Sequence, residues 1–235
     1  MTPQAIYEML RQANATTACD PFDGHVLACV FASAVDEHRE GGSFTGALGI
    51  CGQALRRNID KYFPGTMRQM ESFGLDEEPE IGEDERCLRE LLWRFRTAPS
   101  PLNSLISFLM ARRATRPNHL WQDLGLANRG ELSHLMRRHF SVLAARNDQD
   151  MKWKKFFFRM ICSDEGYRMC TAPSCSECND FDVCFGDESG ESLLARIRHQ
   201  VQDTGLLSIA NPSNLTASLH VGNATMAASP TSIHP

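Results

Sequence analysis

Apolar residues recur along the chain at spacings of three and four, a pattern that indicates helices with one buried face. A sustained alternation of apolar and polar residues, which would predict strands, is hard to find. The pairs Thr2-Pro3 and Ser100-Pro101 mark helix starts, because a hydroxyl caps the first turn and proline fits the first helical position. The sequence therefore predicts an all-α protein.

Five segments carry the apolar stripe of an amphipathic helix. The first begins at Pro3 and ends at about Gln12, and Asp23 is the predicted cap of the second. The predicted core residues, helix by helix, are Ile6, Met9 and Leu10; Val26, Leu27, Val30 and Phe31; Leu88, Leu91, Leu92 and Phe95; Leu102, Leu105, Ile106 and Leu109; and Leu132, Leu135, Met136 and Phe140.

Length and charge exclude several classes of protein. The chain has 235 residues, with 24 Lys and Arg against 29 Asp and Glu, so its net charge is −5. This mild acidity excludes overall charge as the basis of nucleic-acid or membrane binding. No stretch reaches the roughly 18 apolar residues of a membrane span, and residues 1–9 lack the basic start of a secretory signal. We expect a folded cytoplasmic protein with no nucleic-acid or membrane partner.

Charged residues are unevenly distributed between two stretches. Residues 71–94 hold nine acidic and three basic side chains, which predicts an exposed acidic linker leading into a helix. Residues 111–159 hold eleven basic and four acidic side chains, which predicts a basic face. That face is either a solvated helical surface or a surface for docking and for attracting oxyanions. Its main contributors are Arg112, Arg113, Arg116, Arg137, Arg138, Lys152, Lys154 and Lys155.

Four of the nine cysteines, Cys170, Cys175, Cys178 and Cys184, fall in one short segment. Since disulfides are not expected in a reducing cytoplasm, thiolates this close together indicate a bound metal or cluster. Four, two and five residues separate them, a compact spacing typical of an iron–sulfur cluster. Structural zinc sites usually pair two Cys-x2-Cys knuckles, so zinc is permitted but not favoured.

The surroundings of this segment are acidic, with seven acidic side chains and one basic side chain between residues 162 and 190. A negative setting lowers the reduction potential of a cluster and requires nearby positive charge, which Lys152, Lys154, Lys155 and Arg159 are expected to supply. The aromatic residues before the segment are predicted to be core on a helix rather than a shield for a cofactor. They are Trp153, Phe156, Phe157 and Phe158.

Other side chains have both a ligand interpretation and a structural one. Cys162 is either an extra ligand or a buried cysteine, and the scattered cysteines are predicted to be core or incidental. One histidine could complete a metal site, although His134 and His139 are five residues apart and do not share a helical face. No glycine-rich phosphate loop or nucleophile elbow is present, so we predict no enzymatic function. The scattered cysteines are Cys19, Cys29, Cys51 and Cys87, and the remaining candidate histidines are His25 and His119.

Several segments together resemble the NifQ family of nitrogen-fixation proteins. The similarity is carried by residues 151–157 (MKWKKFF), Cys162, residues 170–178 (CTAPSCSEC) and residues 184–186 (CFG). Upstream, residues 123–126 (DLGL) and 135–140 (LMRRHF) also resemble that family. The similarity covers roughly residues 20–190, and the acidic linker and the tail are not needed for it.

This resemblance implies a carrier of a molybdenum-containing iron–sulfur cluster, with molybdate as the metal source. Its metal would pass to the assembly of the iron–molybdenum cofactor of nitrogenase, and its partners would be the cofactor assembly scaffold and the nitrogenase iron protein. The four matching positions, Cys170, Cys175, Cys178 and Cys184, become the expected cluster ligands, with Cys162 as a candidate extra ligand. The soft thiolates suit iron and reduced molybdenum.

Two other functions compete with the resemblance. One is a zinc-stabilised helical interaction module that binds a protein or nucleic-acid partner. The other is a redox enzyme that uses a cluster for electron transfer, but no second cofactor motif supports it.

We expect a helical domain over residues 1–198, irregular in architecture, that includes the cysteine-rich cluster-binding loop at 162–186. Residues 199–235 are expected to form a disordered tail, because from residue 200 onward they hold a single charged residue, Asp203.

Overall fold

The computed structural model describes residues 1–164, and every regular element in that range is a helix. A 3₁₀ turn spans Glu71–Phe73. The α-helices are α1 Pro3–Asn14, α2 Pro21–Arg39, α3 Phe44–Leu48, α4 Gly52–Tyr62, α5 Met67–Met70, α6 Glu83–Arg94, α7 Pro101–Ala114, α8 Leu120–Asp123, α9 Arg129–His139, α10 Ser141–Arg146 and α11 Trp153–Asp164. The prediction of helices without strands is confirmed for the described part of the chain.

The two predicted helix starts at Thr2 and Ser100 are confirmed. The Thr2 hydroxyl accepts a hydrogen bond from the Ala5 N–H at 3.2 Å, and the Ser100 hydroxyl accepts one from the Asn103 N–H at 3.1 Å. Each bond satisfies one of the N–H groups that the first helical turn leaves without a partner.

The predicted cap of the second helix was wrong. Asp20, not Asp23, caps α2, and its carboxylate accepts the Phe22 N–H at 2.9 Å. Pro21 then takes the first helical position, as in α1 and α7. Asp23 lies one turn inside the helix and is buried.

Helix α2 lies at the centre of the core. Every residue from Val26 to Val35 is buried, so the helix is covered on all sides rather than along one stripe. Helix α1 packs along it, and α3 folds back against it. Helix α7 packs on α6, and α11 packs on α6 as well.

The predicted core residues are nearly all buried. The exceptions are Met9, Phe95 and Leu102, which are half-buried and pack against the core from its edge. Phe95 differs because α6 ends before it, at Arg94, and Phe95 occupies the C-cap position. Residues beyond the end of a helix no longer follow its periodicity, so the apolar side chain of Phe95 does not lie on the buried face of α6.

The acidic stretch at residues 71–94 is mostly exposed before α6, as predicted. Glu85 is the exception, since its side chain is only 2% exposed and lies 2.6 Å from Arg89 and 3.0 Å from Arg112. A buried carboxylate between two guanidiniums is part of the fold rather than of a linker.

Several predictions fall outside the described residues. They are the cysteine-rich loop, the domain boundary after residue 198 and the disordered tail. Within residues 1–164, no helix combines the length and the apolar character needed to cross a membrane.

Candidate functional site

The four predicted cluster ligands lie outside the described residues, and the structure shows the helix that leads to them. Cys170, Cys175, Cys178 and Cys184 follow the end of α11 at Asp164, and Cys162 lies within the last turn of that helix. The contacts that hold α11 in place therefore determine where the cysteine segment starts.

Aromatic side chains anchor the first turns of α11. Trp153, Phe156 and Phe157 are buried, and the rings of Trp153 and Phe156 meet edge to face with centroids 5.8 Å apart. Phe158 is half-buried. The prediction that this run is core is confirmed, because these rings pack into the same cluster as α6 and α7.

Lys154 fixes the start of α11 to the segment before α8. Its ammonium group donates to the backbone oxygens of Arg116 and Asn118 and to the carboxylate of Asp123. Asp123 is buried and also accepts a hydrogen bond from the Asn118 amide at 3.0 Å. All three donor positions of the ammonium group are thus used within the fold.

We expected Lys154 to supply positive charge to the cluster segment, and its ammonium group is paired with Asp123. The cluster segment lies outside the described residues, so that role stays a prediction. Lys155, one residue further on, is exposed.

The loop between α10 and α11 is held by polar contacts of its own. The guanidinium of Arg129 donates to the Asp150 carboxylate at 3.0 Å and to the Asp150 backbone oxygen at 2.8 Å. The Asn147 amide donates to the Met151 backbone oxygen and accepts its N–H, at 2.8 and 2.9 Å. Asp150 has a positive φ of 54°, a conformation that aspartate tolerates better than most residues. The loop is therefore fixed at both ends before α11 begins.

A buried polar network ties α9 to α2. The Asp23 carboxylate lies 2.7 Å from the His139 ring and 2.9 Å from the Arg138 guanidinium. The other ring nitrogen of His139 lies 2.9 Å from the Asn103 side-chain oxygen. Burial alone would raise the pKa of Asp23, but hydrogen bonds from His139 and Arg138 outweigh it and hold this pKa below its usual value.

Gly125 allows a close approach between the α8–α9 turn and α2. It has a φ of +74°, and a Cβ at this position would lie 2.6 Å from the Ser33 hydroxyl and 3.0 Å from the Cys29 backbone oxygen. Only glycine fits both the conformation and the space.

The predicted basic face is largely absorbed into the fold. Arg113 is buried and pairs with Glu37, and Arg116 pairs with the same carboxylate at 2.8 Å. Arg112 pairs with Glu85, and Arg138 pairs with Asp23 and with Asp20 at 2.9 Å. Since these arginines neutralise acidic side chains on α2 and α6, they do not form one continuous basic surface. Arg137, Arg138 and Lys155 are the exposed members of the predicted set.

The other candidate ligands have partners within the fold or lie at its surface. His25 contacts the Tyr7 hydroxyl at 2.8 Å and Glu131 at 3.3 Å, and both ring nitrogens of His139 face oxygens. His134 is exposed and packs edge-on against Phe22. His119 directly precedes α8, and its backbone N–H donates to Gln122.

The scattered cysteines fit the structural interpretation. Cys29 is buried, and Cys19, Cys51 and Cys87 are half-buried. Burial raises the pKa of Cys19, which favours the neutral thiol over a metal-binding thiolate. Among residues 1–164, no group of three or more His, Cys, Asp and Glu side chains is arranged to hold a metal ion.

A known protein family matches the part of the chain that contains these segments. A family model described as NifQ matches residues 26–186, a range that includes all four clustered cysteines. This chain belongs to the NifQ family. No solved structure matches it.

Individual members of the NifQ family show the extent of the similarity. The NifQ homolog of Sinorhizobium fredii is 42% identical over 174 residues, which cover 73% of this chain and 75% of that protein. NifQ of Rhodobacter capsulatus is 38% identical over 149 residues, which cover 63% of this chain and 80% of that protein. NifQ of Azotobacter vinelandii is 39% identical over 101 residues, covering 43% and 52% respectively.

Two of the segments that carry the NifQ resemblance meet each other in the structure, and a third contacts α2. Lys154 of the MKWKKFF run pairs with Asp123 of the DLGL run. Arg138 and His139 of the LMRRHF run both contact Asp23 on α2. Sequence reasoning found these runs but did not find their pairing. The sequence signal for such a pairing is a single Asp or Lys within an apolar or aromatic run, because a charge buried there needs a partner of opposite charge.

Proposed function

We propose that this protein carries a molybdenum-containing iron–sulfur cluster and donates molybdenum to the assembly of the iron–molybdenum cofactor of nitrogenase. The observation that carries the proposal is the NifQ family match, which extends to residue 186 and so includes the four-cysteine segment. The spacing of those cysteines independently favours an iron–sulfur cluster over structural zinc.

In this proposal the thiolates of Cys170, Cys175, Cys178 and Cys184 bind the cluster. Thiolate and sulfide are soft ligands that suit iron and reduced molybdenum. Cys162 remains a proposed extra ligand, because it lies in the last turn of α11, a few residues before the four-cysteine segment in the sequence.

The described helices would act as a rigid support for this chemistry. The aromatic residues of α11 lie in the core, and Lys154 is paired with Asp123, so the helix cannot shift without breaking buried contacts. A fixed support holds cluster ligands close to their binding geometry and lowers the entropy lost on binding.

We propose a carrier rather than a catalyst, with molybdate as the source of its metal. The proposed acceptor is the scaffold on which the cofactor is assembled, and the nitrogenase iron protein is the second proposed partner. The exposed side chains of Arg137, Arg138 and Lys155 belong to the basic set that such partners could reach, and of these Arg138 is paired with Asp20 and Asp23.

The test is the metal and acid-labile sulfide content of the full chain, purified without oxygen from molybdate-fed cells, together with its electron paramagnetic resonance spectrum. We expect iron, sulfide and molybdenum in the unmodified protein. Cys175→Ala should lose the cluster and molybdenum donation while keeping the helical circular dichroism signal, because the helices described within residues 1–164 pack through a core of their own.

Cys51→Ala is the matched control. Cys51 is half-buried at the start of α4 and caps it with no side-chain hydrogen bond, so this variant should keep the full cluster. Molybdenum donation retained by Cys175→Ala would overturn the ligand assignment. One zinc per chain with no labile sulfide, even after anaerobic reconstitution with iron and sulfide, would favour the zinc-stabilised interaction module.

A further inference from the structure

Four side chains on α6, on α7 and on the connection between them form a stacked row. The guanidinium carbon of Arg96 lies 3.7 Å from the centre of the Trp93 ring. The Trp93 ring stacks on Phe108, with ring centroids 5.8 Å apart and ring planes 16° from parallel. The guanidinium carbon of Arg89 lies 5.0 Å from the centre of the Phe108 ring. The row therefore has an arginine at each end and two aromatic rings between them.

Trp93 is the member of this row that water reaches most. Its side chain is 42% exposed, whereas Trp121 and Trp153 are buried. Within residues 1–164, the other large apolar side chains that are exposed are Met1, at the start of the chain, and Val142 on α10. A large ring in contact with water gains free energy when a partner covers it.

The exposed indole is held in place before any partner arrives. Besides stacking on the ring, Arg96 donates a hydrogen bond to the backbone oxygen of Trp93. At the other end of the row, the buried Glu85 carboxylate lies 2.6 Å from Arg89 and so fixes its guanidinium over Phe108. Because the side chains of the row are already ordered, covering them costs little side-chain entropy.

The charges along the row favour an acidic partner. Within residues 1–164, no carboxylate pairs with Arg96, whose contacts are those with Trp93. Glu85 is shared between Arg89 and Arg112, so its single charge does not neutralise both guanidiniums. One exposed carboxylate on the same helix, Glu90, opposes these cations. A carboxylate brought by a partner would pair with Arg96 away from bulk water, where the attraction is stronger.

The row suits a protein surface better than a nucleic acid. Tryptophan and arginine are the residues most enriched at the energetic centres of protein interfaces. A nucleic acid instead needs several cations along a path to match its phosphates. The first turn of α6 carries exposed Glu83 and Asp84, which would repel a phosphate backbone that followed this helix.

We propose that this row docks on an acidic protein surface, with the indole of Trp93 in an apolar recess and Arg96 paired with a carboxylate at the rim of that recess. The row starts on α6, and α6 packs against α11, the helix that leads to the cysteine segment. The scaffold on which the cofactor is assembled is the partner we assign to it. That assignment rests on the proposed function, whereas docking on an acidic surface rests on the row itself.

The test is the affinity of the full chain for the purified assembly scaffold, with 5-fluorotryptophan incorporated into this chain only. The chain has three tryptophans, and Trp93→Phe identifies the fluorine-19 resonance of Trp93 by its loss. We expect this resonance to shift when the scaffold is added, and the resonances of buried Trp121 and Trp153 to stay in place.

Two variants and a control measure the contribution of the row. Trp93→Ala should weaken binding of the scaffold roughly tenfold, as for a tryptophan at the centre of an interface. Added salt should weaken binding by the unmodified protein more than binding by Arg96→Gln, because the variant lacks the charge that salt screens. Arg57→Gln is the matched control: Arg57 is exposed on α4, outside the row, so the affinity of this variant should not change.

Each contrary outcome has a defined meaning. If the scaffold does not bind, or if Trp93→Ala and Arg96→Gln both bind it as tightly as the unmodified protein, the docking proposal is overturned. Tighter binding of a single-stranded oligonucleotide than of the scaffold, lost in Trp93→Ala, would assign the row to a nucleic acid and overturn docking on a protein. Thermal unfolding of each variant separates lost docking from a lost fold, and Arg96→Gln leaves the indole in place if Trp93→Ala does not fold.

Metal content separates this proposal from the proposed function. The variants of the row should hold as much iron, sulfide and molybdenum as the unmodified protein, because the substitutions leave all the proposed cysteine ligands unchanged. A chain that docks through Trp93 but holds no molybdenum would overturn the cluster proposal and leave the docking surface standing.

Discussion

Asp23 is the residue on which the contact between α2 and α9 depends. Its lowered pKa means that ionised Asp23 stabilises the fold at neutral pH, and this contribution disappears as the pH falls through the pKa of the folded state. We predict that Asp23→Asn lowers the free energy of unfolding by about 2–3 kcal/mol at pH 7. The loss should shrink below about pH 4, where the unmodified carboxyl also takes up a proton.

Denaturant unfolding of both proteins between pH 2 and pH 7 checks this prediction. Asp20→Asn is the control, because asparagine caps a helix as well as aspartate does and the substitution removes only a solvent-accessible ion pair with Arg138, so its loss should be small. A stability difference between Asp23→Asn and the unmodified protein that stays constant across this range would contradict the role given to the Asp23 charge.

Gly125 gives a second prediction at a single residue. Gly125→Ala should destabilise the fold by about 3 kcal/mol, since it adds the strain of a positive φ to a clash with the backbone of α2. Gly65→Ala isolates the strain: Gly65 has a φ of +80° and nothing within 4 Å of its Cβ position. The Gly65→Ala variant should lose only about 1 kcal/mol of its free energy of unfolding. Equal losses, measured by thermal or denaturant unfolding, would show that the close approach to Ser33 and Cys29 is unimportant.

The residue scale is also where the sequence was least informative. Thr2 and Ser100 were predicted as caps because a cap is a local feature of three residues. Asp20 and Asp23 both stand near the start of α2, and nothing local distinguishes the cap from the buried ion pair. Their roles depend on Arg138 and His139, which are more than a hundred positions away in the chain.

At the scale of elements, α11 depends on its first turn. We predict that Lys154→Met lowers the free energy of unfolding by about 3 kcal/mol, because it leaves the buried Asp123 carboxylate without its cation. Lys155→Met is the matched control. Because Lys155 is exposed, this variant's free energy of unfolding should change by less than about 0.5 kcal/mol. Similar denaturant midpoints for the two variants would contradict the anchoring of α11 through Lys154.

Helix prediction succeeded where a stripe was long and strongly apolar and failed for shorter elements. Helix α4 was missed, although Leu55, Ile59 and Tyr62 follow the helical spacing and are buried. Its start has no side-chain cap, and four charged residues dilute its stripe. Helices α3, α5, α8 and α10 have four to six residues each, and helices this short are stable only through tertiary packing.

At the scale of the whole molecule, the candidate site divides into a chemical part and a supporting part. The chemical part, the four-cysteine segment, could be recognised from sequence because ligand type and spacing are themselves sequence properties. The supporting part could not, since the pairing of Lys154 with Asp123 arises only when distant segments pack. The basic face failed as a prediction for the same reason: charge counted along the chain does not reveal partners such as Glu37 on α2.

The central claim is that molybdenum is held in a sulfur-bridged cluster with iron. Its most direct test is the molybdenum X-ray absorption spectrum of the full chain, purified without oxygen from molybdate-fed cells. We predict a first shell of sulfur around molybdenum and a second shell of iron, both lost in Cys175→Ala and retained in Cys51→Ala. A spectrum with only oxygen neighbours, or protein that contains no molybdenum, would contradict the claim.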